Sequence, residues 1–204
     1  MTKKLRLYTD FVCPFCFIAE QSTVPRLLEE LDLELDWYGF ELHPNTPPGG
    51  VPLSQLFPNT PLGPLHERTK RFAATFGVVD FEPPSWLSNS RMALAIAEHA
   101  RDLGRLEPFR QAAMAAHWRQ GKNLEKQADL AAVATVAGLE PEAALAAATD
   151  PDLLLRVDER QAEARRQGVR GIPTFAFGDE RVVGCQPYEA VLAAALRAGV
   201  ERRT

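Results

Sequence analysis

Apolar and polar residues alternate along Leu5-Arg6-Leu7-Tyr8, and the run continues into Thr9-Asp10-Phe11-Val12. A period of two places alternate side chains on opposite faces, so a short strand is predicted here. From Pro14 the spacing becomes helical through about Leu31, with Pro25 inside it predicting a kink. Leu33-Glu34-Leu35-Asp36-Trp37-Tyr38-Gly39-Phe40 alternates again as a second strand. Strand, helix and strand so close together predict a parallel βαβ unit with a right-handed crossover.

Residues 44–64 hold seven of the sixteen prolines together with Gly49, Gly50 and Gly63. This stretch is predicted to be an extended connection. About a hundred residues of helical pattern follow. Pro64 suits a first helical position and Gly77 a C-terminal cap. Met92, Ala95, Ile96, His99, Ala100 and Leu103 share one helix face. Phe109, Ala112, Ala113 and Ala116 mark another helix, and Leu130, Val133, Ala134 and Ala137 a further one ended by Gly138. Pro141 and Pro151 read as first-turn prolines, with Asp150 as the N-cap of a helix running to Gly168. Thr174–Phe177 and Arg181–Val183 flank Gly178-Asp179 as a hairpin, and a closing helix spans about Tyr188–Ala198. The order is βαβ, a helical block, then ββα, an α/β chain. It divides into residues 1–63 with 169–204, and a helical insertion at 64–168.

Composition narrows the function classes. A hydrophobic share of 46% and a charged share of 25% over 204 residues are those of a globular protein. A net charge of −4 without blocks of like charge argues against a nucleic-acid or anionic-membrane surface. No apolar run reaches the roughly 20 residues of a membrane span. The first residues lack an apolar core or cleavage site for secretion, so a cytoplasmic location is expected. Three cysteines are too few for a disulfide scaffold, which directs attention to thiol chemistry.

Cys13-Pro14-Phe15-Cys16 lies where the first strand gives way to a helix. A helix N-terminus presents unpaired N–H groups and the positive end of its dipole, which favour a thiolate. Cys13 is expected at the exposed start as the attacking sulfur, with Cys16 one turn in as the resolving one. Pro14 fits the first helical position. The competing readings are half of a zinc site, which would need Cys185 and a histidine, and two inert buried cysteines. Without a second CxxC, no metal is expected. Gly171-Ile172-Pro173-Thr174 supplies the second signal. An X-Pro bond entering a sheet must lie at a strand start and is the kind that can be cis.

These residues resemble the DsbA-like branch of the thioredoxin superfamily, in particular its FrnE-type and 2-hydroxychromene-2-carboxylate-isomerase-like members. The resemblance is carried by Thr9 to Cys16, Phe40-Glu41-Leu42, Asn89-Ser90-Arg91-x-Ala93-Leu94, the Gly168–Phe175 run and the Gly184-Cys185-Gln186-Pro187 turn. It implies a thioredoxin fold interrupted by a helical domain, with Pro173 cis and facing Cys13. Pro14, Phe15, Ile172 and Thr174 would then contact substrate. Phe15 stands where the branch commonly has tryptophan and DsbA has histidine, and it brings no charge or hydrogen bond to a thiolate. Cys185 stands where alanine is common.

By topology Cys185 should share the active-site face, either as a third redox thiol or as a small buried residue. His43 follows the second strand toward the same edge. Asp10 and Glu41 are the nearest acids, either of which could accept the Cys16 proton. His99 is expected in the core; His66 and His117 carry no distinguishing signal. The function expected is thiol–disulfide exchange with a protein or small-molecule thiol partner. No cofactor is expected to be tightly bound, with glutathione a candidate co-substrate. The alternative is a glutathione-dependent isomerase or kappa-type transferase acting on an apolar small molecule. A chaperone-like module is a third. The sequence predicts no oligomeric state.

Overall fold

The computed structural model describes residues 3–203. Strand β1 (Lys3–Thr9) occupies the centre of a four-stranded sheet of order β2-β1-β5-β6. It pairs in parallel with β2 (Leu33–Gly39), from Lys3 opposite Leu33 to Thr9 opposite Gly39. On its other side it runs antiparallel to β5 (Thr174–Phe177), whose hairpin partner is β6 (Glu180–Val183). The alternation along β1 decides what each face meets. Leu5 and Leu7 are fully buried, and Thr9 on the same face bonds Glu20. Arg6 and Tyr8 point the other way and bond Glu163 and Gln167 near the end of the last inserted helix.

The crossover from β1 to β2 is two helices, α1 (Pro14–Gln21) and α2 (Thr23–Glu30), rather than the single kinked helix predicted to Leu31. The break falls at Ser22, whose backbone leaves helical geometry at φ −125° and ψ −74° and whose hydroxyl donates to the Ile18 carbonyl. Pro25 therefore sits in the first turn of α2, where its missing N–H costs no helical bond.

The proline-rich connection also differs from the prediction. Val51–Pro52 forms a short strand, β3, antiparallel to β4 (Trp86–Leu87), and Leu53–Leu56 makes one helical turn, α3. Gly50 shows why the chain turns there. Its φ is +71°, and a Cβ would run into the Leu87 carbonyl and the Trp86 indole nitrogen. Helix α4 (Leu62–Ala74) starts two residues before Pro64.

The rest of the insertion is α5 (Arg91–Asp102), α6 (Leu106–Gln120), α7 (Gln127–Val136), α8 (Pro141–Ala147) and α9 (Pro151–Arg166). Asp150 caps α9 by accepting from the Asp152 and Leu153 N–H groups, and Pro141 and Pro151 open their helices. α10 (Tyr188–Arg197) closes the fold. The core is continuous from the sheet into the helices: Phe11 packs on Trp37 and, edge to face, on Phe109 of α6. Among the described residues no helix is long and apolar enough to cross a membrane.

Candidate active site

The parallel strands β1 and β2 end side by side, and the chain after each turns over the same edge of the sheet. Cys13 occupies the N-cap of α1 in extended geometry (φ −94°, ψ 117°), and its side chain makes no capping bond. Its carbonyl accepts the Phe17 N–H at 3.1 Å, so the first turn is closed by the backbone and leaves the sulfur uncommitted. Both cysteines are free thiols. Contrary to the expectation of an exposed start, Cys13 is only 1% exposed; Cys16 is fully buried. Residues from Leu53 to Leu87 form the far wall of a cavity that Cys13 also lines, which the local sequence around it could not reveal.

The Cys16 thiol is held well above its usual range, first by burial and then by its hydrogen bond to Cys13. Cys16 is therefore the protonated partner, donating toward the Cys13 sulfur. The Asp10 backbone opposes the shift of Cys16, and the charge of Glu20 adds to it.

Glu20 lies one turn beyond Cys16 on the same helix face. It is fully enclosed and accepts from Thr9 Oγ1 (2.8 Å), Trp37 Nε1 (3.1 Å) and Arg110 of α6. Arg110 also donates to Glu107 at 2.7 Å. This buried ion pair beneath the cysteines was not singled out from the sequence, although the Cys16–Glu20 spacing of four is visible there.

The acids that were singled out are committed elsewhere. Asp10 is fully buried; its carboxylate accepts from the Leu42 N–H at 2.7 Å and, more weakly, from Val12 N–H at 3.5 Å, tying the end of β1 to the end of β2. Burial raises its pKa to about 6 against these bonds. Glu41 pairs with Arg91 at 3.0 Å, and Gln161 bonds both its N–H and its carbonyl. Burial raises the Glu41 carboxyl, with Arg91 opposing. Glu41 thus fastens the sheet edge to α5 and α9.

The Ile172–Pro173 peptide bond is cis. The Pro173 carbonyl accepts from the Gly184 N–H at 2.7 Å, which holds the Cys185 turn against the proline. Ile172 lines the same cavity as Cys13. Thr174 does not: it is 1% exposed and its hydroxyl donates to the Gly171 carbonyl at 2.6 Å.

That cavity, about 370 Å³, is bounded by Val12 to Phe15 on one side and by α3, α4 and β4 on the other. His43, His66 and His117 all line it, so the two helical histidines that carried no signal are brought to the site. His117 is buried, its Nδ1 3.0 Å from the Lys122 carbonyl; burial lowers its pKa to about 4 despite that bond. Burial also lowers His43. Phe15 is 43% exposed and stands edge-on to Phe72 of α4, with centroids 5.5 Å apart. Beyond Phe72 lies a second, more open cleft of about 680 Å³, lined by Arg26, Phe76, Tyr188 and Cys185. The half-buried Cys185 thiol is pushed up to about 12 by burial and then by the charge of Cys13, which makes it a poor nucleophile at neutral pH. Among the described residues no three His, Cys, Asp or Glu side chains cluster as a metal site.

The two raised and lowered groups predict opposite pH responses. For His117 the native state binds fewer protons than the unfolded chain between about pH 4 and 6.5, so its contribution to stability is lost as pH falls through that range. For Asp10 the native state binds more protons between about pH 4 and 6, so its contribution is lost as pH rises. Denaturant titrations from pH 4 to 7 should therefore show the stability of wild type relative to His117→Asn falling with acid, and that relative to Asp10→Asn rising.

A CxxC at a strand-to-helix transition and a cis-proline before another strand of the same sheet are the two features that accompany this βαβ–ββα arrangement. The chain belongs to the DSBA-like thioredoxin domain family, whose pattern matches residues 4–196. Its backbone is similar to a probable DsbA oxidoreductase from Streptomyces coelicolor, with a TM-score of 0.85 at 22% identity over 97% of this chain and 90% of that one. It is similar to the cytosolic disulfide reductase DsbM from Pseudomonas aeruginosa, determined with GSH (TM-score 0.67, 19% identity, 95% of this chain and 99% of that one). It also resembles 2-hydroxychromene-2-carboxylate isomerase (TM-score 0.70, 20% identity, 95% of each chain). At these identities the structural matches establish the shared fold.

Proposed function

We propose that the protein is a thiol–disulfide oxidoreductase that cycles between a Cys13–Cys16 dithiol and disulfide. The observation that carries this reading is the placement of the two sulfurs: Cys13 at the helix N-cap with no capping bond, and Cys16 one turn behind it, fully buried. Cys13 attacks one sulfur of a substrate disulfide, forming a mixed disulfide and releasing one thiolate. The Cys16 thiolate then attacks the Cys13 sulfur, closing the internal disulfide and releasing the second thiol. Cys16 must lose its proton for that step, and Glu20 is the buried acid whose charge it feels. Ile172, Pro14 and Phe15 line the cavity with Cys13, and this reading assigns Pro173, next to Ile172, to shaping the approach.

Two thiols of a reductant reverse the sequence, and glutathione is the co-substrate this reading assigns to that role, in a cytosolic setting. Binding of GSH by the Pseudomonas reductase of the same fold supports the assignment. The apolar cavity beside Cys13 favours one other reading, glutathione-dependent isomerisation of a small molecule, for which Cys16 would be dispensable.

A Cys16→Ser variant separates the two. Incubated with a model disulfide, it should accumulate a mixed disulfide at Cys13 that intact-mass and peptide analysis locate. Adducts at Cys185 alone, or none, would overturn the exchange reading.

A further inference from the structure

The cavity beside Cys13 carries information about what the sulfur meets. Its lining includes Leu56, Phe57, Leu65, Trp86 and Trp118, and among the described residues it includes no Asp, Glu, Lys or Arg. Its only ionisable side chains besides Cys13 are three histidines. Two of them, His43 and His117, are shifted by burial toward the neutral form. A charged group placed there would lose hydration without gaining an opposite charge. The volume, about 370 Å³, lies in the range of small-molecule sites.

One lining side chain carries an unsatisfied atom: His66 Nε2 is shielded from solvent and has no hydrogen-bond partner among the described residues, so a ligand meets it once the imidazole turns toward the cavity. A buried polar atom without a partner is costly, and a bound group that meets it recovers that cost. The 1% exposure of Cys13 adds a limit on size. A small disulfide reaches a sulfur so deeply set more readily than a disulfide held on a folded protein surface.

We propose that the cavity seats the substituent of a small uncharged disulfide, an aromatic or branched aliphatic group bearing one hydrogen-bonding atom that meets His66. This rests on the exchange reading above and names its substrate class. Cys13 thiolate would attack the near sulfur of R–S–S–R, making the Cys13–S–R bond and expelling one RS⁻. Cys16 thiolate would then expel the second RS⁻ from Cys13, so that the disulfide gains two electrons and the protein loses them. A thiol reductant such as glutathione restores the dithiol.

The test compares bis(4-hydroxyphenyl) disulfide with bis(4-carboxyphenyl) disulfide and with reduction of insulin. The uncharged disulfide should have a kcat/KM at least about tenfold above that of the dicarboxylate, the scale set by burying an unpaired charge, and above that of insulin. Leu56 is partly exposed, so Leu56→Lys should fold and should narrow or invert the preference between the two small disulfides. His66→Phe should lower kcat/KM for the hydroxyphenyl compound while leaving that for diphenyl disulfide within about twofold, since only the former has the hydrogen bond to lose.

Binding is read separately, as displacement of the neutral fluorophore N-phenyl-1-naphthylamine from Cys13→Ser by the corresponding phenol. Turnover without preference, faster reduction of insulin, or no displacement would each overturn the proposal. Displacement without turnover of any disulfide would instead remove the exchange reading and keep the ligand class of the cavity.

Discussion

Replacing Cys13 by serine should lower disulfide exchange by on the order of 10⁴-fold or more, the scale on which removal of an activated nucleophile lowers turnover. The hydroxyl keeps the shape of the N-cap but remains protonated at neutral pH, so attack on a disulfide stops at the first step. Folding should be unaffected, because serine is a favourable N-cap and the Cys13 side chain makes no capping bond to lose. Cys185→Ser, by contrast, should leave the rate within about twofold. Its thiol is pushed up to about 12, and a thiol that far from ionising at neutral pH offers almost no thiolate. Stopped-flow reduction of a model disulfide by the two variants, with circular dichroism as the folding control, checks both statements. A Cys185→Ser variant as impaired as Cys13→Ser would assign the chemistry to the wrong sulfur.

Removal of the arginine beneath the cysteines should have the largest effect on stability. Arg110 and Glu20 are both almost wholly enclosed, and their pairing joins α1 of the thioredoxin part to α6 of the insertion. Arg110→Ala leaves the Glu20 carboxylate buried with only Thr9 and Trp37 as donors. The expected loss is about 3–5 kcal/mol, the range for breaking one side of a buried ion pair, or a fall in Tm of roughly 6–20 °C for a chain of this size. The double variant Glu20→Leu with Arg110→Met should lose distinctly less, because no uncompensated charge remains. Thermal unfolding of the two variants decides the matter; equal losses would mean that packing rather than charge holds this junction.

The parts legible in the sequence are those fixed by local periodicity or by a single residue's backbone demand. The alternation of Leu5 to Tyr8 and of Leu33 to Phe40 gave β1 and β2. Asp150, Pro141 and Pro151 marked helix starts, and Gly178-Asp179 marked the hairpin between β5 and β6. The CxxC was placed correctly at the start of α1 because strand-to-helix transitions are written in spacing.

What escaped was set by tertiary contact. The break at Ser22 depends on φ and ψ that no periodicity encodes, and Pro25 suggested a kink three residues too late. β3 and β4 are two residues each, too short to show alternation, and their pairing spans more than thirty residues. β4 forms part of the wall of the cavity that Cys13 lines. His66 and His117, which looked like ordinary helix residues, belong to the same cavity. Glu20 was within reach of sequence reasoning through its spacing from Cys16. Its partner Arg110, ninety residues away, was not.

The central claim is that Cys13 and Cys16 form a reversible redox pair. Equilibration in glutathione buffers of graded potential, followed by trapping of free thiols and peptide mass mapping, tests it most directly. The account predicts a Cys13–Cys16 disulfide that appears and disappears along a single two-electron curve while Cys185 stays a thiol. Cys13 remaining a free thiol or carrying only glutathione across the whole range would contradict it.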